Sequence, residues 1–418
     1  MSTYFNCGSD HDLVPNCEFS RGRSASASQS AGSAGVRGYR GKGIMNNKRA
    51  KFVSAATVAV FATTSAVAAG ATSAVTADAI GGGVASSDSS STRDASKFKL
   101  ADPDTVLTDE GDYITYGTSS AGTKCGGTKH GFKVPMLRHG SGDDVGIADC
   151  AVGDALPKKN IGGWADKSSG VWAPGVVKHK GTYLMYYTMS KKGSKQKCIG
   201  LARSTDANGP FKDGGSRPWA CPASGRWVID ANPYVAGGQL YVAYRDDQVA
   251  RGIESGVSVV GAGDNGWADK DFSSRRTAIT SNDIAWDSAK NKGNNHIVEN
   301  PSMFKVGKSW HLAYSANAWN SARYATGIAE CGTKPIPRSR CTPMRNGVKR
   351  PYFGFKGKGG LGPWRGLPGN HTGPGGMDIF QAQNGSHRAV YHWFQRSDKT
   401  RYPVTGTFVR HNGGFAVK

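Results

Sequence analysis

The sequence predicts an all-β fold, a five-bladed β-propeller with four antiparallel strands per blade. Three observations predict it. One pattern recurs five times: a Pro, an apolar run, a Gly- or Asp-containing turn, then an aromatic-rich run. Gly accounts for 58 of 418 residues, about twice its usual ~7% share, and is accompanied by 15 Tyr, 15 Phe and 10 Trp. That composition suits many short strands and tight turns, and its aromatic content argues against wholesale disorder. Sustained helical periodicity is absent outside one N-terminal segment.

The five copies run from Asp102-Pro103 to Tyr116, Ala173-Pro174 to Tyr187, Asn232-Pro233 to Tyr244, Asn300-Pro301 to Tyr314 and, more weakly, Gly373-Pro374 to Tyr391. Their prolines step by 71, 59, 68 and 73 residues. Each copy reads as a hairpin: V-V-K-H-K-G-T-Y-L-M-Y-Y at 176–187 and M-F-K-V-G-K-S-W-H-L-A-Y at 303–314 alternate about a central turn. A unit of about 65–70 residues holds four short strands, and radial repetition of such sheets makes a propeller.

The residues before the first copy read as a leader and an export signal. Residues 1–44 are Gly-, Ser- and Arg-rich without periodicity, and Met45 is the expected true start. Residues 45–79 then have a basic n-region (Lys48, Arg49, Lys51), an uncharged stretch from Phe52 to Ala77, and two A-x-A sites ending at Ala68 and Ala79. An uncleaved anchor is the alternative, weakened by the Ala/Thr/Ser content of the stretch. A Ser-rich linker over 80–97 leads to the propeller domain over 98–418. The expected location is therefore extracellular, and the six cysteines beyond the leader are expected to form disulfides. Six cysteines allow fifteen connectivities. Neighbour pairing closes one local loop each: Cys125 with Cys150, Cys198 with Cys221, Cys331 with Cys341.

Net charge is +22, or +18 without residues 1–79. Such a balance favours an acidic partner, but export weakens the nucleic-acid reading. The basic runs 178–197 and 334–358 fall in sequence rich in Gly, Ser or Pro, as solvated surface loops do; adhesion to an anionic cell wall is the functional alternative. The sequence carries no firm oligomeric signal, and a monomer is expected.

Three copies carry an acid just before their Pro: Asp102 beside Pro103, Asp230 three before Pro233, Glu299 two before Pro301. The innermost strands of a propeller surround one channel, so these carboxylates converge at one mouth. Glycosidic chemistry needs such a set: a base, an acid, and something that keeps the acid protonated. For a single acid, turn hydrogen bonding would be the better account.

The segments A-D-P-D-T-V-L at 101–107, V-W-A-P-G-V at 171–176, W-V-I-D-A-N-P-Y at 227–234, V-E-N-P-S-M-F at 298–304 and G-P-G-G-M-D-I-F at 373–380 resemble those of glycoside hydrolase family 43 in order and spacing. The run S-A-R-Y-A-T-G-I-A-E-C at 321–331 resembles the strand after that family's acid. The resemblance covers residues 98–400. It implies an inverting hydrolase acting on arabinan, arabinoxylan or a related glycan, as an α-L-arabinofuranosidase or an endo-1,5-α-L-arabinanase, with β-xylosidase as a near neighbour. It implies Asp102 as general base, Glu299 as general acid, and Asp230 as the carboxylate that orients the acid and raises its pKa. Trp172 is expected to stack on a sugar ring, and Asn232 and Asn300 to position hydroxyls. No cofactor is required; His392 resembles a channel histidine that contacts calcium or another small ion in arabinanase-like members. One departure stands out: the family's G-P-G-H appears as Gly373-Pro374-Gly375-Gly376. The basic loop from Thr333 to Gly369 either walls the pocket or forms a binding edge. A non-catalytic glycan-binding propeller is the rival of another class.

Overall fold

The computed structural model describes residues 95–140, 146–222, 226–248, 255–286, 296–345, 347–354, 372–395 and 397–418. The expected leader, export segment and most of the Ser-rich linker lie outside the described residues.

Five small antiparallel sheets follow one another along the chain. Blade I holds Asp104–Leu107, Tyr113–Tyr116, Pro135–Arg138 and Gly153–Asp154, with a separate hairpin, Ser120–Thr123 and Lys129–Phe132, inserted before its third strand. Blade II holds Trp172–His179, Thr182–Ser190 and Lys197–Ser204. Its fourth position is marked only by isolated bridges, Arg203 with Lys212 and Ile199 with Ala220. Blade III comprises Val228–Ala236, Gln239–Asp246, Gly256–Ala262 and Arg276–Thr280; blade IV comprises Val298–Val306, Ser309–Ala316, Ala325–Gly332 and Thr342–Pro343. Blade V comprises Thr372–Gln381, His387–Gln395, Thr400–His411 and Gly414–Val417.

Each blade is apolar on both faces because each packs between two others. In Thr182–Ser190, Tyr183, Met185 and Tyr187 face blade I, beside Ile114, Tyr116 and Met136. The intervening Leu184 and Tyr186 face blade III, beside Leu240, Val242 and Tyr244. This is the period-two alternation of a strand with two buried sides. Equivalent clusters fill the spaces between blades III and IV, around Val259, Leu312 and Tyr314, and between IV and V, around Phe304, Ile328 and Tyr391. The ring closes through Phe98, Leu100, Leu137 and Val390. Closure also uses backbone: Ala95 bridges Val404, and Leu100 N–H donates to the Arg401 carbonyl at 3.2 Å. The C-terminal strand Gly414–Val417 pairs with the other half of the same blade V strand.

The three disulfides link Cys125 to Cys150, Cys198 to Cys221 and Cys331 to Cys341, as neighbour pairing predicts. Cys125–Cys150 ties the turn of the inserted hairpin to the loop before Gly153, Cys331–Cys341 ties a loop to the third strand of blade IV, and Cys198–Cys221 secures the irregular outer edge of blade II.

The innermost strands share one irregularity. Blades II to V shift register near the repeat proline, between Trp172 and Gly175, Ile229 and Asn232, Glu299 and Ser302, and Thr372 and Gly375. Residues at these sites take left-handed backbone: Asp102, Ala173, Asp230, Asn300 and Gly373 have φ of 52°, 38°, 57°, 47° and 60°. Four of the five are not glycine. Asp and Asn tolerate this region, but Ala does so only under constraint, and such strain gathers at functional sites. The bulges turn side chains that would enter the blade packing towards the channel.

Candidate active site

Asp102, Ala173, Asp230, Asn232, Asn300 and Asp378 line one cavity at the opening of the innermost strands. Its volume is about 20 Å³, enough for one ordered water. A wider cavity of about 700 Å³ occupies the other end of the channel, and shares Asp104, Asn232 and Asp378 with the first. Size alone would favour the wide end as a ligand site, but the strained residues and two of the three predicted acids, Asp102 and Asp230, line the narrow one. The first residues of the basic loop, Thr333 to Pro335, line the wide end, so this part of the loop does not wall the acid cluster.

The three predicted acids belong to one hydrogen-bond network. Asp102 Oδ1 accepts from Arg401 Nη1 at 2.8 Å and from Asn300 Nδ2 at 3.1 Å, and Asp102 Oδ2 accepts from Thr118 at 2.6 Å. Asn300 Nδ2 also donates to the Tyr324 hydroxyl at 2.8 Å, which donates to Glu299 Oε1 at 2.9 Å. Glu299 Oε2 accepts from Arg245 Nη1 at 2.7 Å. Asp230 Oδ2 accepts from the Asn300 backbone N–H at 3.2 Å. Asn300 therefore contacts two acids directly and reaches the third through Tyr324. The Asp102 and Glu299 oxygens at the ends of this three-bond chain are at most about 8.8 Å apart.

The electrostatics separate the acids. Burial would lift the Asp102 carboxyl, but Arg401 and the hydrogen bonds from Thr118 and Asn300 outweigh it and hold the pKa below the usual value. Asp230 is pushed well up by burial and by the charges of Glu299 and Asp102. Glu299 is raised by burial, opposed by Arg245, and raised further by Asp102. The Asp102 carboxyl is thus biased towards its ionised form, while burial and neighbouring negative charge bias Asp230 and Glu299 towards their protonated forms. A second raised pair lies deeper in the channel. Asp104 is raised by burial and by Asp378, and burial brings Asp378 to about 7.

His392 is fully buried beneath the base, its ring stacked on Tyr324 at 5.6 Å. Its Nδ1 accepts the Asp102 backbone N–H at 3.0 Å. Burial and Arg401 depress its pKa to about 3, so the ring is neutral and its proton is on Nε2. That tautomer donates from Nε2, which has no hydrogen-bond partner among the described residues. Among the described residues no group of three or more His, Cys, Asp or Glu is placed to hold a metal. The missing His of the family motif also has a physical account: a Cβ at Gly376 would sit 2.8 Å from His392 Nδ1 and 3.2 Å from Asp102 Cα. The imidazole from the neighbouring strand fills that space.

Trp172 and Asn232 are both engaged by protein groups. Lys197 Nζ covers the Trp172 ring at 3.5 Å, and Trp227 abuts it edge-on at 6.0 Å. One face of the Trp172 ring is thus covered by an ammonium, and Trp172 stands outside the lining of the narrow cavity. Asn232 has both ends of its amide engaged, with Asp104 Oδ2 at 3.3 Å and Met303 N–H at 2.9 Å, and ties three blades together. Arg245, Tyr324, Arg401 and Thr118 were not predicted. Only Tyr324 lay within a quoted motif; the others come from second and third strands or a loop, where no repeat spacing marks them.

A channel mouth with three buried carboxylates of opposed proton affinity, on a five-bladed propeller, defines a glycosidase-type protein. The family model for glycosyl hydrolases family 43 matches residues 96–409, and the chain belongs to that family. It is 29% identical over 188 residues to a protein of Aspergillus clavatus named as a probable arabinan endo-1,5-α-L-arabinosidase A, covering 42% of this chain and 50% of that one. The chain spans about half or less of the length of the first curated relatives it matches. Among solved structures it is similar to a thermostable family-43 glycoside hydrolase, with a TM-score of 0.59, 21% identity, and 77% and 93% of the two chains covered. An endo-arabinase of Bacteroides thetaiotaomicron aligns with a TM-score of 0.54, 15% identity, and 78% and 100% covered.

Proposed function

We propose that this chain is a secreted, inverting glycoside hydrolase that cleaves α-L-arabinofuranosyl linkages in arabinan or arabinoxylan. The observation that carries the proposal is the single hydrogen-bond network joining Asp102, whose pKa is held down, to Asp230 and Glu299, whose pKa values are pushed up. Asp102 acts as general base on a water, for which the cavity has room. Glu299 acts as general acid on the departing glycosidic oxygen, and Asp230 keeps the proton on the pair. An inverting pair stands roughly 6.5–9.5 Å apart, and the ceiling of about 8.8 Å is compatible with that. Asn300 couples the two sides of the site, and Arg401 keeps the base ionised.

The arabinose preference is supported by the activities for which the curated relatives are named. Export is supported by three disulfides together with the signal-like residues 45–79. The test is hydrolysis of linear arabinan, branched arabinan, arabinoxylan and aryl pentosides by the wild type, Glu299→Ala and Asp102→Ala. Arabinose release that both substitutions abolish supports the proposal. Turnover of xylosides alone would overturn the substrate assignment, and no turnover with intact glycan binding would overturn catalysis.

A further inference from the structure

We propose that Trp319, stacked on Arg401, is the platform of a sugar subsite on the glycone side of the cleaved bond. The inference rests on reading Asp102 as base and Glu299 as acid. Trp319 is 45% exposed, and no other tryptophan among the described residues is an exposed large apolar side chain. A single exposed apolar residue is ordinary on a protein surface. The position of this one is not. The Arg401 guanidinium carbon lies 4.6 Å from the Trp319 ring centre, and Nη1 of the same guanidinium is 2.8 Å from Asp102 Oδ1. One arginine thus links an exposed indole to the base.

The loop that carries Trp319 is held in place at both ends. Asn317 has left-handed backbone, with φ of 74°, and its amide donates to the Arg323 carbonyl at 2.9 Å. The Tyr324 N–H donates to the Ser321 carbonyl at 3.1 Å. Tyr324 itself is fully buried and donates to Glu299. The same short loop therefore delivers Tyr324 into the carboxylate network and Trp319 to the rim. Such a platform is ordered before ligand arrives, which lowers the entropic cost of binding.

The side of the bond follows from the chemistry. In an inverting pair the acid stands by the leaving group and the base stands on the opposite face of the glycone ring. Trp319 is coupled to the base through Arg401, so its platform serves glycone-side sugar. An indole face offers an apolar, polarisable surface to the C–H face of a neutral pentose, and the remaining guanidinium N–H groups of Arg401 offer donors to its hydroxyls. A neutral pentose chain matches this surface; an anionic sugar would compete with Asp102 for Arg401.

The test is calorimetric binding of linear α-1,5-arabino-oligosaccharides of two to six units to the inactive Glu299→Ala protein, with and without Trp319→Ala or Trp319→Phe. Parallel pH profiles of kcat/KM are taken on the Trp319 single variants. The expected result is a weakening of about tenfold or more for the longer oligosaccharides in the Ala variant, most of it restored by Phe. The apparent pKa values of the profile stay in place, because the Asp102–Arg401 pair is intact. Equal affinity with and without Trp319, in a protein whose wild type hydrolyses arabinosides, overturns the platform alone. A wild type inert on every pentoside overturns the proposed function and the platform with it.

Discussion

Arg401→Met isolates the charge that keeps the base ionised. Arg401 Nη1 lies 2.8 Å from Asp102 Oδ1, the Asp102 side chain is 10% exposed, and among the effects that lower the Asp102 pKa Arg401 is the largest. An opposite charge this close lowers a carboxyl pKa by about 1–3 units, and one unit is worth about 1.4 kcal/mol. Removing it leaves burial, which acts in the other direction, opposed only by hydrogen bonds and a neutral His392. The acidic limb of kcat/KM should therefore move up by about 1–3 pH units in the Met variant. Arg401→Lys keeps the charge and should recover a large part of the shift. The assay is the pH profile of initial rates on one aryl pentoside, fitted for both limbs in wild type and both variants. An acidic limb that stays in place while activity falls would refute the claim that Arg401 acts through the base, and a downward shift would refute the electrostatics altogether.

Two further outcomes follow from the buried pairs. Asp230→Asn removes a carboxyl whose charge and that of Glu299 repel one another, so the basic limb of the same profile should move down by about a unit or more, with a fall in kcat. Asp378 titrates at about 7, well above its unfolded value, so the folded chain keeps a proton that the unfolded chain releases from about pH 4 upward. Its contribution is therefore most favourable below that unfolded value and is lost as pH rises through 7. Asp378→Asn should flatten the decline of Tm between pH 4 and 7, read by scanning calorimetry.

The blades were legible because the repeat encodes a physical necessity. An inner hairpin packed on both sides must be largely apolar and aromatic, and runs such as 182–190 and 309–316 show this without any knowledge of their partners. The three acids were legible because each lies one to three residues before the proline of its repeat. Their supports were not. Arg245 comes from the second strand of blade III, Arg401 from the third of blade V, and Thr118 from a loop, positions separated by up to 283 residues. Only closure of the ring, through residues 95–100 against 401–404, brings Arg401 to Asp102. Trp172 shows the opposite limit: its motif position was evident, but Lys197 lying across its face was not, since that contact spans two strands of the blade. Likewise His392 was recognisable as a channel histidine, while its tautomer depends on the Asp102 N–H 290 residues away.

The central claim is that a water activated by Asp102 attacks from the face opposite the leaving group. The stereochemistry of the first product tests it most directly. Proton NMR would follow the anomeric signal of the released sugar from the first seconds of turnover of the aryl pentoside the wild type hydrolyses fastest. The account predicts that the opposite anomer to the substrate appears first and then mutarotates to equilibrium. Initial release of the same anomer would mean a covalent glycosyl-enzyme, and would contradict the roles given to Asp102 and to the water.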